Sequence, residues 1–222
     1  MNWLRRIYWY GKLKDSDYRP LFRTTKHHEY VALDCETTSL NPRLAQLVTI
    51  AAVKVVHNRI VTSQSFEVHL KAPGTLDEHS VKIHQMRHQD LAHGLAEQDA
   101  LKQLIQFIGN RPLIGYHIRY DKTILDLACR KHLGFPLPNQ IIEVSQIYQQ
   151  KLETQLPNAY FDLSLDVICH QLNLPSPERH NALQDAISAA LIYIRLTYGD
   201  LPVLTSPSVT KPHIFHPPYP KV

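Results

Sequence analysis

No run of eighteen or more apolar residues occurs in this sequence, so a membrane-spanning helix is not expected. Cysteine is scarce. Three residues, scattered and odd in number, make no disulfide framework and fit a reducing compartment. The early Arg5 and Arg6 are not followed by a signal-peptide core, because Tyr8, Trp9, Gly11 and Lys12 interrupt any apolar stretch. Together these absences lead to the expectation of a cytoplasmic protein. Internal repeats and low-complexity tracts are missing too, which sets aside repeat architectures. Beyond residue 28 the chain also lacks a basic excess. Residues 1–28 hold Arg5, Arg6, Lys12, Lys14, Arg19, Arg23 and Lys26 against Asp15 and Asp17, a net +5, so the remainder of a +4 chain carries −1. A near-neutral body argues against a surface that coats a polyanion broadly; contact would be local, through metals and a few basic side chains. What is present is ordinary for a soluble globular chain. A 44% hydrophobic and 20% charged composition over 222 residues suits one domain with appendages.

The apolar pattern predicts strands at 30–34 and 47–57, then a tight turn at Asn58-Arg59 into a third strand at 60–70, where Phe66, Val68 and Leu70 alternate. These three form an antiparallel meander that Pro73-Gly74 ends. Leu101, Leu104, Ile105 and Ile108 keep helical spacing across 96–108. A short strand at 112–117, a helix at 121–133 and a strand at 140–144 follow, then helical stretches at 145–154, 163–172 and 181–198. The last carries the clearest stripe: Leu183, Ala186, Ile187, Ala190, Leu191 and Ile194. Strands first and then alternating helices and strands predict an α/β fold with a mixed five-stranded sheet flanked by helices. Three regions result: a basic aromatic extension at 1–28, a central domain at 29–199, and a tail at 200–222 that holds six of the fifteen prolines and reads as extended or disordered.

Chemistry concentrates in three short motifs. Asp34 and Glu36 lie in Tyr30-Val-Ala-Leu-Asp-Cys-Glu-Thr-Thr-Ser-Leu40, two apart on a strand, so both project from one face while Cys35 turns to the core. Such pairs also occur on exposed strand faces; acids ending a buried strand, however, need a partner, and a divalent metal is a suitable one. Asp121 closes Leu113-Ile-Gly-Tyr-His-Ile-Arg-Tyr-Asp121, where it reads equally as a helix N-cap. His180 and Asp185 lie in Arg179-His-Asn-Ala-Leu-Gln-Asp-Ala186 at the start of the last helix. Converging carboxylates beside an imidazole are what two divalent cations and a general base need to hydrolyse a phosphodiester.

The order of these motifs, with the His-x4-Asp spacing of the third, resembles the DEDD exonucleases in their histidine-base, DNA polymerase III epsilon-subunit-like branch. The resemblance covers about 29–198. It implies a ribonuclease H-like fold and a 3′–5′ exonuclease that releases nucleoside 5′-monophosphates from a single-stranded 3′ end, DNA being favoured. It also implies two Mg²⁺ or Mn²⁺ ions held by Asp34, Glu36, Asp121 and Asp185, with His180 as general base. Thr37, Leu40 and His84 are then expected beside the terminal nucleotide. An RNA 3′–5′ exonuclease, oligoribonuclease-like or tRNA-trimming, and a non-catalytic nucleic-acid-binding module are the alternatives. Two positions depart from the family pattern: Ser39 stands where a glycine is usual, and His117 where an asparagine is.

Three further features carry weaker signals. His84 and His88 are four apart, but Gln85 stands where a zinc protease needs glutamate, so a zinc site is not expected. Gln171-Leu-Asn-Leu-Pro175 is similar to clamp-binding peptides and reads rather as a helix end with packed leucines. Trp3 to Tyr10 forms an amphipathic helix with Trp3, Leu4, Ile7 and Tyr8 on one face, suited to single-stranded nucleic acid, a membrane surface, its own domain or a second subunit. Packing or partner contact is the favoured expectation, and the proline-rich tail is a second candidate for protein contact.

Overall fold

The computed structural model describes residues 1, 3–23, 28–74, 81, 86–87, 89–157, 159–175 and 181–200. Its centre is a five-stranded mixed sheet of β1 (Glu29–Thr37), β2 (Leu47–Val56), β3 (Arg59–His69), β4 (Leu113–Gly115) and β5 (Ile141–Glu143). The order across the sheet is β3-β2-β1-β4-β5. β2 pairs antiparallel with β1 and β3, giving the expected meander, while β1 with β4 and β4 with β5 are parallel. Among the described residues the helices are α1 (Trp3–Lys12), α2 (Glu97–Ile108), α3 (Ile118–Leu133), α4 (Val144–Gln155), α5 (Leu165–Gln171) and α6 (Ala182–Tyr198), with a 3-10 helix at Ser16–Phe22.

The sheet divides the interior in two because successive strand side chains point to opposite faces. Val31, Leu33 and Cys35 of β1 join a core with Leu101, Leu104 and Ile108 of α2 and Ile118 and Leu125 of α3; Leu21 and Phe22 complete it. Ala32 belongs to the other core, with Tyr148 of α4, Ile168 of α5 and Ile192 of α6. Carrying this alternation along β1 turns Asp34 and Glu36 towards the α6 side.

Local differences from the sequence reading have local causes. The turn between β2 and β3 centres on His57 and Asn58, with His57 taking the left-handed conformation at φ 55°. Helix α3 begins three residues before Asp121, and its N-cap is His117, so Asp121 does not cap it. On α6 the fully buried positions include Ala182, Ala186, Ala189, Ala190, Tyr193 and Leu196, while Leu183, Ile187, Leu191 and Ile194 are half-buried. Alanines bring the first half of the helix close to the sheet, Ile192, Tyr193 and Leu196 fill the contact further along, and Leu183, Ile187, Leu191 and Ile194 flank it. The stretch after α5 is a helix end, as read: Leu172 is buried, Asn173 is left-handed at φ 54°, and the Leu174 N–H donates to the Cys169 carbonyl. Among the described residues no helix is long and apolar enough to cross a membrane.

Leu104 is fully buried between α2 and the sheet. Leu104→Ala is expected to lower unfolding free energy by about 2–5 kcal/mol, through lost transfer energy and the cavity left behind. Urea denaturation followed by circular dichroism measures it, with an unchanged m-value expected.

Candidate active site

Parallel strands β1, β4 and β5 all end at one edge of the sheet, where ligand sites of α/β proteins form. Asp34 and Glu36 are near the end of β1, and Asp185 is in the opening turn of α6. That helix start is set by Asn181, whose Oδ1 accepts from the Gln184 N–H at 3.0 Å. The positive end of the helix dipole therefore faces the acids. Asp34, Glu36 and Asp185 each offer an oxygen, and these atoms lie within 4.8 Å of one another. Three carboxylates this close form a donor set suited to a hard divalent cation.

Asp121 is not part of that trio. It comes from α3, which packs on the opposite face, and its carboxylate is buried there. The four acids still form one electrostatic unit. Burial, then the charges of Asp121, Glu36 and Asp185, hold the Asp34 carboxyl well above its usual range. Burial and Asp185 push Glu36 up to about 7. Burial raises Asp121 to about 8 against the pull of its backbone hydrogen bonds, with Glu143 and Glu36 adding to the rise.

Glu143, the last residue of β5, is a buried carboxylate that the motifs did not mark. Its Oε1 accepts from the His117 N–H at 2.9 Å, the Ser145 hydroxyl at 2.9 Å and the Ser145 N–H at 3.4 Å. His117 is left-handed at φ 56°, a conformation that a side chain resists, and Glu143 holds that turn in place. Gly115 makes the turn possible: a Cβ there would sit 2.7 Å from the Ile118 side chain and 2.9 Å from the Leu33 carbonyl. His117 itself points its ring outward against Tyr116, with centroids 4.1 Å apart. The signal for Glu143 was an acid at the end of an apolar strand, the same signal that marks Asp34.

The segment after β1 is tied down by Tyr120. Its hydroxyl donates to the Ser39 carbonyl and lies 2.6 Å from Thr37 Oγ1. Ser39 is not among the residues with positive φ, so a side chain in place of the family's glycine adds no backbone strain. Its Oγ accepts from the Asn41 N–H at 3.1 Å. Leu40 is 61% exposed at this edge. His180 and His84, expected as base and substrate contact, lie outside the described residues, as does His88.

The exonuclease family model RNase_T matches residues 31–193, which hold all four carboxylates. The chain belongs to this exonuclease family. Among its relatives, a DNA polymerase III PolC-type from Thermotoga petrophila is 24% identical over 186 residues, covering 81% of this chain and 13% of that polymerase. A DNA polymerase III subunit epsilon from Rickettsia felis is 25% identical over 179 residues, covering 76% of this chain and 74% of the subunit. The chain thus spans about an eighth of the PolC-type relatives. Among solved structures, E. coli Exonuclease I in complex with a dT13 oligonucleotide superposes with a TM-score of 0.65 at 11% identity, covering 77% of this chain and 41% of that one. The fold of the family is therefore the ribonuclease H-like fold expected from the sequence.

Two consequences are measurable. Raised carboxylate pKa values mean that the folded, metal-free protein binds more protons than the unfolded chain between about pH 4 and pH 8. Stability without metal is therefore expected to fall as pH rises through that window, and Asp121→Asn should flatten the slope. Thermal melts in chelator at pH 5, 6.5 and 8 test the sign. Separately, Glu143→Ala strips three donors of their acceptor and should cost roughly 1–3 kcal/mol of stability, while Glu143→Gln, which keeps an oxygen, should recover much of it. Paired denaturation curves distinguish the two.

Proposed function

We propose that the protein is a metal-dependent 3′–5′ exonuclease acting on single-stranded DNA ends and releasing nucleoside 5′-monophosphates. The observation that carries this reading is the convergence of Asp34, Glu36 and Asp185 within 4.8 Å, drawn from β1 and α6. In the proposed roles these three residues, with Asp121 as the fourth ligand, would hold two Mg²⁺ or Mn²⁺ ions. Bound there, such ions polarise a scissile phosphate and lower the pKa of water. Binding also relieves the repulsion that keeps these carboxyls from ionising together.

The remaining work falls to the chain. His180, one residue before the α6 N-cap Asn181, is the proposed base that takes a proton from the attacking water. Thr37 and the exposed Leu40 are the proposed contacts to the terminal nucleotide. Tyr120 keeps their segment in place through Thr37 and Ser39. DNA is proposed as substrate because relatives are DNA polymerase subunits by name and a structural neighbour was solved with a dT13 oligonucleotide.

Asp34→Ala is expected to abolish turnover in Mg²⁺ or Mn²⁺ while leaving the fold intact. His180→Ala should lower the rate about 10²–10⁴-fold with little change in Mn²⁺ affinity, and should remove the rise in activity with pH expected of a neutral imidazole base. End-labelled DNA and RNA oligomers of one sequence, assayed side by side across pH, report all three. Faster RNA hydrolysis would reassign the substrate, and an active Asp34→Ala would overturn the site.

A further inference from the structure

The aromatic N-terminal helix offers a surface unrelated to the carboxylate site. Helix α1 docks through Arg6 and Trp9. The Arg6 guanidinium donates to the carbonyls of Phe22 at 2.7 Å, Arg23 at 2.8 Å and Leu21 at 3.2 Å, and Trp9 packs on the α2–α3 core beneath Arg130. The apolar face was expected to pack on a protein surface, but within this chain it points the other way. Trp3, Leu4, Ile7 and Tyr8 are 71%, 69%, 52% and 55% exposed, and no residue of α1 is buried. An outward face of this size on a folded domain marks contact with something else. Arg5, Lys12, Lys14 and Arg19 stand exposed along or just beyond the helix.

The occupant must accept aliphatic side chains at the centre and cations at the rim. A nucleic acid fits poorly, because Leu4 and Ile7 at the centre of the face have no ring to stack. A second copy related by a two-fold axis would bring the basic rims of the two faces together. An anionic bilayer meets both needs. Leu4 and Ile7 enter the acyl boundary, Trp3 and Tyr8 take the interfacial level that such rings prefer, and the cations meet headgroup phosphates. The charge asymmetry of the chain agrees, since residues 1–28 carry +5 and the rest −1. We propose that α1 is an interfacial helix that attaches the protein reversibly to anionic lipid surfaces.

The test uses the full chain and vesicles of equal phosphatidylglycerol and phosphatidylcholine, with pure phosphatidylcholine as the neutral arm. Co-sedimentation is expected on the anionic vesicles alone, weakening at 0.5 M salt. Leu4→Asp/Ile7→Asp should reduce partitioning at least tenfold while hydrolysis of a short oligonucleotide, a check on folding, stays unchanged. Absence of anionic-vesicle binding overturns the proposal, as does equal partitioning of the double variant. So does a double variant that only converts a dimer to a monomer, or only weakens binding to long single-stranded DNA, with vesicle binding absent or unaltered; those results would assign the face to a second copy or to nucleic acid.

Discussion

Mutual repulsion among carboxylates at the end of β1 is the constraint around which the molecule is arranged. Asp34, Glu36 and Asp185 crowd within 4.8 Å, with Asp121 adding its charge from below the strand. Acids do not gather this closely by chance packing, because each approach raises the free energy of the ionised state. The fold brings them together from two directions. β1 supplies two through its period-two alternation, and the opposed helices α3 and α6, packed on opposite faces, deliver one each from their first turns. Both helix N-termini lie at the acids, so two helix dipoles offset part of the repulsion. A divalent cation held by these carboxylates would offset the remainder.

Such a site holds its geometry only if its supports are rigid. The fixed points are short-range and polar. Glu143 gathers the His117 and Ser145 amides and the Ser145 hydroxyl, which sets the left-handed turn from which α3 departs. Tyr120, one residue before Asp121, ties the segment after β1 to the same helix. The two departures from the family pattern, Ser39 and His117, sit at these two ties, and both are accommodated. Ser39 keeps an ordinary backbone conformation. His117 uses its amide at the site while its ring faces out. Behind these ties, the alanine-rich face of α6 and the leucines of α2 give the sheet a close-packed backing on both sides.

Family membership rests on residues 31–193, and the N-terminal helix lies outside that span. Its attachment is one guanidinium on three carbonyls together with Trp9 packed on the core, and Trp3, Leu4, Ile7 and Tyr8 are left exposed. The candidate site and the exposed N-terminal face thus belong to different parts of the chain. A surface-attached exonuclease would meet its substrates where they are held, without any change at the carboxylates.

Much was legible in the sequence because it is encoded locally. The meander, the order of later elements and the projection of Asp34 and Glu36 from one face follow from side-chain periodicity alone, and the three motifs named all four acids. What periodicity does not encode is which face of a helix meets a sheet, or what distant residues do to one another. The buried side of α6 is set by its approach to β1 and β2, which buries Ile192, Tyr193 and Leu196 and leaves Leu183, Ile187, Leu191 and Ile194 half-buried. Asp121 lost its reading as a helix cap because α3 starts at Ile118, from a turn held by a residue 26 positions away. Glu143 carries no motif, and both it and Tyr120, which lies within the second motif, take their roles from partners that packing brings to them: the His117 amide for one, Thr37 and Ser39 for the other. The sequence determined which groups are present and how each strand presents them; tertiary packing alone decided that three carboxylates share one locus, that Asp121 approaches from the opposite face, and that the apolar side of α1 is turned to the outside.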